Sequence, residues 1–508
     1  MITSKIRASA ALIAFGLFFT ANGARAQGND FAAPTGGRST LMGGTGVALG
    51  RDGASPFLNP AGIVRIEDQR LAFSVNFYTF GFTHYGNFHQ PGAVDTAQVS
   101  APGAGGLTTN TFRVLPSTLC LFFTLGDLQK IAAPDAAPIP SDRVMRRKLA
   151  ICFAQLESED VSLEAVPYQG NTPAGPTSQV TALAHRWSRT YVGPTYSSYL
   201  TDKLAIGASI NGVYSHDAFA IDGSSITSKV GGGALASSLS ASGSGNSVDL
   251  TAIAGLTYLA SSSVTLGLSL RAPSLHVLGW YDGAYAQSAE GSNADTAVVA
   301  SGSGNFLAAS PMRVAGGVGF EWSKLKLEAD AALILPLAST LRSTIDVTTT
   351  TLTTTGQQQT KTTETYAVQS HPMVNPALGL EYFLRPSFSL LGGVATNLST
   401  QSALTPQSGV GNLAQSKQNI ATASFGIGSY GNGKELLFGA QFQYGWGDSL
   451  VVNSYVVPND WAVVSTQSYA MMLVVSGATD LRSIESAVTK VKNAVQTGDP
   501  NKAAPKTP

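Results

Sequence analysis

The chain has 508 residues, 54 of them glycine, and only 12% are charged, about half of the roughly 25% found in an ordinary soluble domain. Its 31 basic and 31 acidic side chains balance to +0, which excludes a strongly basic nucleic-acid binder and an acidic tail protein. A hydrophobic content of 44% argues against disorder throughout, and low charge with high glycine favours one very large barrel over several soluble domains.

Lys5 and Arg7 open the chain, an apolar run from Ala8 to Phe19 follows, and Ala24-Arg25-Ala26 forms a small-x-small step before Gln27. Residues 1–26 read as a secretory signal peptide, the alternative being an N-terminal anchor helix. Cleavage there removes Lys5, Arg7 and Arg25 and leaves 28 basic against 31 acidic side chains, a net charge of −3. No later stretch reaches the ~18 uncharged apolar residues of a membrane helix. The exported chain is therefore either soluble or crosses a bilayer as a closed sheet, since a bilayer leaves no backbone group unpaired.

Residues 27–69 are rich in glycine and small residues (Gly36, Gly37, Gly43, Gly44, Gly46, Gly50, Gly53) and end in Asn59-Pro60-Ala61-Gly62. Such a stretch makes tight backbone rather than strands, and its place before the first strand predicts a hatch, or plug, inside the lumen.

From residue 70 the period becomes two. Leu71, Phe73, Val75 and Phe77 share one face; Val264, Leu266, Leu268 and Leu270 oppose Thr265, Gly267, Ser269 and Arg271. Leu325, Leu327, Ala329, Ala331 and Leu333 oppose Lys324, Lys326, Glu328 and Asp330, and Leu436, Phe438, Phe442, Tyr444 and Trp446 oppose Glu435, Gly439, Gln441 and Gln443. Counting such segments predicts fourteen antiparallel strands over 70–476, an even number as a single-chain bacterial barrel requires. A soluble sandwich also alternates, but these strands are long and their connections alternate between short turns and long segments. The long segments (81–110, 158–181, 218–246, 281–302, 338–365 and 401–416) are polar and low in complexity and read as mobile outer loops. Segment 125–147, with the basic run Arg143, Arg146, Arg147 and Lys148, reads as a solvated turn. Over 477–508, Ile484, Val488, Val491 and Val495 recur at helical spacing, predicting a periplasmic helix over 481–496 and then a disordered tail.

Cys120 and Cys152 fall on adjacent predicted strands, so either a cross-strand disulfide forms or two thiols stand apart, as register decides. The six histidines show no metal-ligand spacing, and neither a metal nor a cofactor is expected. No nucleophile elbow or phosphate loop is present, so no catalytic residues are assigned and the protein is not expected to be an enzyme.

The stretch Ser39-Thr40-Leu41-Met42-Gly43-Gly44-Thr45-Gly46-Val47-Ala48, followed by Asp52-Gly53-Ala54-Ser55-Pro56-Phe57-Leu58-Asn59-Pro60-Ala61-Gly62, resembles the hatch of the long-chain fatty acid outer-membrane transporter family (FadL/TodX type). Pro311 to Phe320 with Leu325–Ala331, and Pro376–Tyr382 with Ser389–Gly393, echo that family's strand pairs. The resemblance implies a monomeric fourteen-stranded barrel of the bacterial outer membrane with periplasmic termini, set among lipid and lipopolysaccharide and binding no nucleic acid. It implies passive uptake of hydrophobic small molecules (long-chain fatty acids or aromatic hydrocarbons), gated by hatch rearrangement with lateral exit through the wall. Asn59, Pro60, Ala61 and Gly62 match the hatch motif as gating residues, and Phe31 corresponds to an early hatch phenylalanine that touches ligand. An acid headgroup would need an inward cation. Arg271, Arg313 and Lys326 are candidates, with pairing to Glu328, Asp330, Glu321 or Glu381 as the alternative; His185-Arg186-Trp187 is a further candidate. A same-family barrel acting as a scaffold or secretion partner, and a barrel lipase or protease, are the alternative functions.

Overall fold

The computed structural model describes residues 29, 35–66, 70–88, 107–125, 147–172, 175–228, 232–290, 296–406, 410, 416–431, 434–453 and 460–480. The expected signal peptide, Phe31, Arg143 and Arg146, and the expected helix and tail beyond residue 480 lie outside the described residues. Two four-residue helical turns, α1 (Arg38–Leu41) and α2 (Ser55–Leu58), and a 3-10 turn (Pro60–Arg65) precede the strands. These are β1 (Arg70–Tyr85), β2 (Leu107–Leu125), β3 (Arg147–Thr172), β4 (Gly175–Tyr199), β5 (Leu204–Ser228), β6 (Ala234–Ser261), β7 (Val264–Arg271), β8 (Leu275–Glu290) and β9 (Thr296–Ala308). There follow β10 (Arg313–Glu321), β11 (Leu325–Ile334), β12 (Leu341–Thr353), β13 (Gly356–Val368), β14 (Met373–Arg385), β15 (Phe388–Asn397), β16 (Ser416–Gly431), β17 (Lys434–Asn453) and β18 (Asp460–Asp480).

Antiparallel ladders close a fourteen-membered ring: β1 to β7 in order, then β10, β11, β14 to β18, and β18 back to β1. The remaining four strands continue their neighbours beyond short breaks. β8 pairs with the far half of β6, β9 with β8, β12 with β9, and β13 with β12. The four breaks each hold a proline: Pro273, Pro311, Pro336 and Pro372. Proline has no N–H for the ladder, so the stave is interrupted there and resumes above.

The exterior sorts by height. On β6 the outward residues from Val248 to Tyr258 are Val248, Leu250, Ala252, Ala254, Leu256 and Tyr258, the ~9–11 residues that a tilted strand needs to cross a bilayer. Outward aromatics mark both margins, with Tyr258, Trp322 and Tyr382 toward the short turns and Tyr214, Trp280 and Trp446 toward the long hairpins. Beyond that upper margin β6 turns outward Ser238, Ser240, Ser242 and Ser244, while the inward face becomes apolar. Trp187, Phe219, Ile221, Tyr281, Tyr285 and Ile345 are among the residues packed there.

This inversion corrects the expectation of mobile outer loops. Most of 158–181, 218–246, 281–302 and 338–365 is strand, with β5 paired to β6 and β12 turning into β13 at Thr354-Thr355. The ladders satisfy the backbone, and inward Phe219, Ile221, Leu239, Ala241, Ile345 and Val347 of these tracts are buried. Threonine-rich β12 also has the β-branched side chains that favour strand.

Candidate functional site

Residues 35–66 lie across the short-turn half of the ring and touch strands on every side. Gly37 abuts Ser476 of β18, Gly43 abuts β15, and Pro60 abuts Gly207 of β5. Wall glycines make this room. A Cβ at Gly255 would sit 2.0 Å from Asn59 Oδ1, one at Gly267 2.0 Å from the Val47 carbonyl, and one at Gly319 2.3 Å from Leu49 Cγ. The small inward face read from alternation is thus the seat of this segment. Within it, Gly43 and Gly44 take φ of 71° and 82°, the left-handed turn that ends α1. Asp52 ties the two halves together: it accepts from Ser39 N (2.8 Å), Ser39 Oγ (3.0 Å) and Ala54 N (3.1 Å).

Inward carboxylates fasten the segment to β11 and β14. Glu328 Oε1 accepts from Ala48 N (2.7 Å) and Leu49 N (2.8 Å); Asp330 Oδ2 accepts from Gly46 N (2.8 Å) and Val47 N (3.0 Å). Arg38 Nε donates to Glu381 at 2.9 Å, both side chains being almost fully buried. Burial opposes the Arg38 charge, but Glu381 and Glu328 outweigh it and hold the guanidinium protonated above its ordinary range. Arg51 also reaches Glu381, and Arg65 pairs with Glu321 while donating to the Ala48 carbonyl.

Asn59 joins segment and wall directly. Its Nδ2 donates to the Val47 carbonyl (2.6 Å) and the Leu256 carbonyl of β6 (3.1 Å), and its Oδ1 accepts from Ala61 N (3.1 Å). Pro60 begins the 3-10 turn, where a fixed φ and absent N–H cost nothing, and Ala61 and Gly62 are buried within it.

Toward the long hairpins lies a cavity of about 110 Å³ between segment and wall. Its lining is mixed: Val47, Leu58, Ala332, Pro376 and Ala377 stand beside Thr40, Asn375, Asn397, Gln441 and Gln443. A larger apolar surface lies farther out, around Trp187, Phe219, Tyr281 and Ile345. Between the two is a charged belt. Arg189 Nη1 donates to Glu157 Oε1 (2.7 Å), Trp187 Nε1 donates to Glu157 Oε2 (3.0 Å), and Arg189 Nη2 reaches the Ala308 carbonyl (3.4 Å). Tyr191 Oη meets Ser310 Oγ at 2.9 Å. Ser247, Asp249 and His276 also cluster here, but hydroxyl and carboxylate meet the same ring nitrogen, Nδ1, at 3.2 and 3.0 Å. A proton relay needs them on opposite nitrogens.

Among the described residues of the fourteen-membered ring, the wall parts between β2 and β3. β2 and β3 pair over eight rows, from Leu125↔Arg147 to Thr118↔Ala154, and no further row joins them among the described residues. Beyond that point β2 pairs only with β1, and β3 only with β4. Pro116 lies just past the last row and has no N–H to give; β3 bulges between Gln155 and Glu157. The opening edges reach the belt, since Glu157 stands on β3.

Arg271 and Arg313 are opposed across β7 and β10, both inward and buried. Lys326 is at the other end of its stave, in the Glu321 row eight residues from the Arg313 row, about 26 Å along the strand. It lies 3.8 Å from Glu321 and 5.0 Å from the Phe383 ring centre. The three cations therefore do not form one site. In His185-Arg186-Trp187 the alternation turns Arg186 outward, while His185 pairs with Asp217 at 2.9 Å. Cys120 and Cys152 are directly opposed and their sulfurs are joined. Sequence reasoning missed Glu157 and Arg189; carrying the alternation of β4 through Leu183, His185, Trp187 and Tyr191 puts Arg189 on the inner face. The sequence offers Glu328, Asp330 and Glu381 as partners of cations, whereas the first two mainly bind backbone N–H groups.

No family model matches the sequence, and no curated protein matches it. Solved structures do. A FadL homologue of Pseudomonas aeruginosa superposes with a TM-score of 0.50 at 13% identity, covering 89% of this chain and 99% of its own. The toluene transporter TodX of Pseudomonas putida gives 0.51 at 13% identity, covering 88% and 98%. The chain has the fold of these FadL-type barrels, a closed fourteen-stranded antiparallel ring.

Proposed function

We propose that the protein is a bacterial outer-membrane channel for passive uptake of hydrophobic molecules, long-chain fatty acids or aromatic hydrocarbons, gated by the hatch and emptied sideways through the wall. The observation that carries this reading is the β2–β3 seam, unpaired among the described residues, above residues 35–66 seated against the inner wall. A fold shared with a toluene transporter supports a hydrophobic solute here.

Ligand is collected on the apolar surface of the outer bore, where each CH₂ removed from water favours binding by ~0.8 kcal/mol, less the cost of immobilisation. It descends to the Glu157–Arg189 belt, where the seam offers a route into the bilayer that avoids water. The hatch has two sets of ties, the Glu328 and Asp330 carboxylates and the Asn59 amide; exchanging them for other partners shifts it between two arrangements. Asn59, Pro60, Ala61 and Gly62 form the turn about which it moves. An acid headgroup would find Arg271 and Arg313 near the belt, whereas Lys326 braces the short-turn end.

The test is uptake of a radiolabelled long-chain acid, and separately of toluene, by cells with the protein, without it, and with Asn59→Ala. Deletion is expected to abolish uptake of at least one solute, and Asn59→Ala to lower its rate at equal surface abundance. Unchanged uptake of both on deletion overturns the reading.

A further inference from the structure

We propose that the Cys120–Cys152 bond is the stop that fixes the foot of the β2–β3 seam, and through it the size of solute that leaves through the wall. The proposal rests on the transport reading above. The two residues face each other in the ladder with Cα atoms 4.3 Å apart, the close spacing of a non-hydrogen-bonded antiparallel pair, and only two rows separate them from the seam. Elsewhere both strands are held by far longer ladders, 14 rows from β1 to β2 and 23 from β3 to β4. The eight-row β2–β3 ladder is thus short and open at one end, where a ladder frays most readily. Fraying from Thr118↔Ala154 meets a covalent link at the third row.

What lies behind that row gives the stop its purpose. Both cysteines point inward and are buried, and Cys120 Sγ lies 3.5 Å from the Gly53 carbonyl of the hatch. A Cβ on Gly53 would stand 3.3 Å from Thr118 Oγ1, so the hatch turn rests on these rows. Phe57 of the hatch, with Phe122, Ala150 and Leu156 of the wall, packs around the link. A seam that lengthened past Cys120 would open onto the hatch turn itself. With the link in place the exit ends above Gly53, and wall opening stays separate from hatch movement.

Two variants test this. Cys120→Val/Cys152→Val keeps a packed cross-strand pair without the bond, and Cys120→Ala/Cys152→Ala removes bond and bulk. The transport readout is the ratio of uptake of a pyrene-tagged long-chain acid to that of the untagged acid, which does not depend on how many barrels assemble. The ratio is expected to rise in both variants. Hydrogen exchange of the purified barrel supplies the second readout. The amides of 118–124 and 149–154 should exchange at least roughly tenfold faster once the link across a sequence separation of 32 is gone, with the β16–β17 rows unchanged. An unaltered ratio and unaltered exchange in the valine variant overturn the proposal. Should the unaltered protein carry neither acid, the transport reading fails, and exchange alone decides the stop: faster exchange supports it and unchanged exchange overturns it.

Discussion

Replacing Glu328 with alanine should unfasten the hatch while leaving the ring intact. Glu328 is fully buried, and one of its oxygens accepts from both Ala48 N and Leu49 N. Without it two buried N–H groups lose their partner, at about 1–3 kcal/mol each, so local opening becomes easier by about 2–6 kcal/mol. At the lower bound that is about a 30-fold rise in the open population. Hydrogen exchange of the Ala48 and Leu49 amides in detergent-purified protein measures it directly, with the β16–β17 ladder as internal reference. Glu328→Gln retains an acceptor oxygen and should fall between the two. Unchanged exchange at residues 48–49 refutes the latch. A rise spread evenly over the whole ring refutes it too, since Glu328 would then be holding the wall.

Gly255→Val drives a side chain into Asn59, whose Oδ1 would be 2.0 Å from the new Cβ; limited proteolysis should then cut within residues 51–66 while the ring still assembles, and continued protection counts against the seating described. Arg189→Ala strands the buried Glu157 carboxylate and should cost about 3–5 kcal/mol in denaturant unfolding, with Glu157→Gln/Arg189→Met recovering most of it; a loss under 1 kcal/mol, about what an exposed pair is worth, would show the pair is solvated. An epitope inserted between Thr355 and Gly356, at the turn of the β12–β13 hairpin, should be labelled by antibody on intact cells; labelling only after the outer membrane is broken would reverse the assigned orientation.

Much of the ring was legible because its outward face follows the bilayer. Where lipid demands apolar residues at every second position, as from Leu266 to Leu270 or Leu436 to Phe438, the period of two is plain in the sequence. Above the bilayer that demand ceases. The outward residues of 238–244 become serine, and the apolar partners Leu239 and Ala241 are too sparse to announce a strand. The extensions were therefore mistaken for loops. The tight segment inside the ring was legible from its glycines and from Asn59-Pro60-Ala61, because tight backbone leaves a compositional trace. Its fastening to Glu328 and Asp330 was not, since an inward acid looks the same in sequence whether it pairs with lysine or with a backbone N–H. The charged belt escaped for a related reason: Glu157 and Arg189 are 32 residues apart, and only the β3–β4 register, shifted by the bulge at Gln155, brings them together.

For the uptake proposed above, the reversal of polarity along β5 has a consequence for how a poorly soluble solute reaches the cell. From Tyr214 to Ser228 the strand climbs about 35 Å beyond the lipid margin, taking ~3.3 Å per residue and a tilt near 40°. Over that height β5 and β6 carry mainly small and polar residues on the outside and, beneath a rim of Thr177, Ser225 and Thr227, aromatic and aliphatic groups within. On the uptake proposed above it is a chimney standing through the sugar coat: wettable to the polysaccharide around it, oil-lined for whatever drops in from the top.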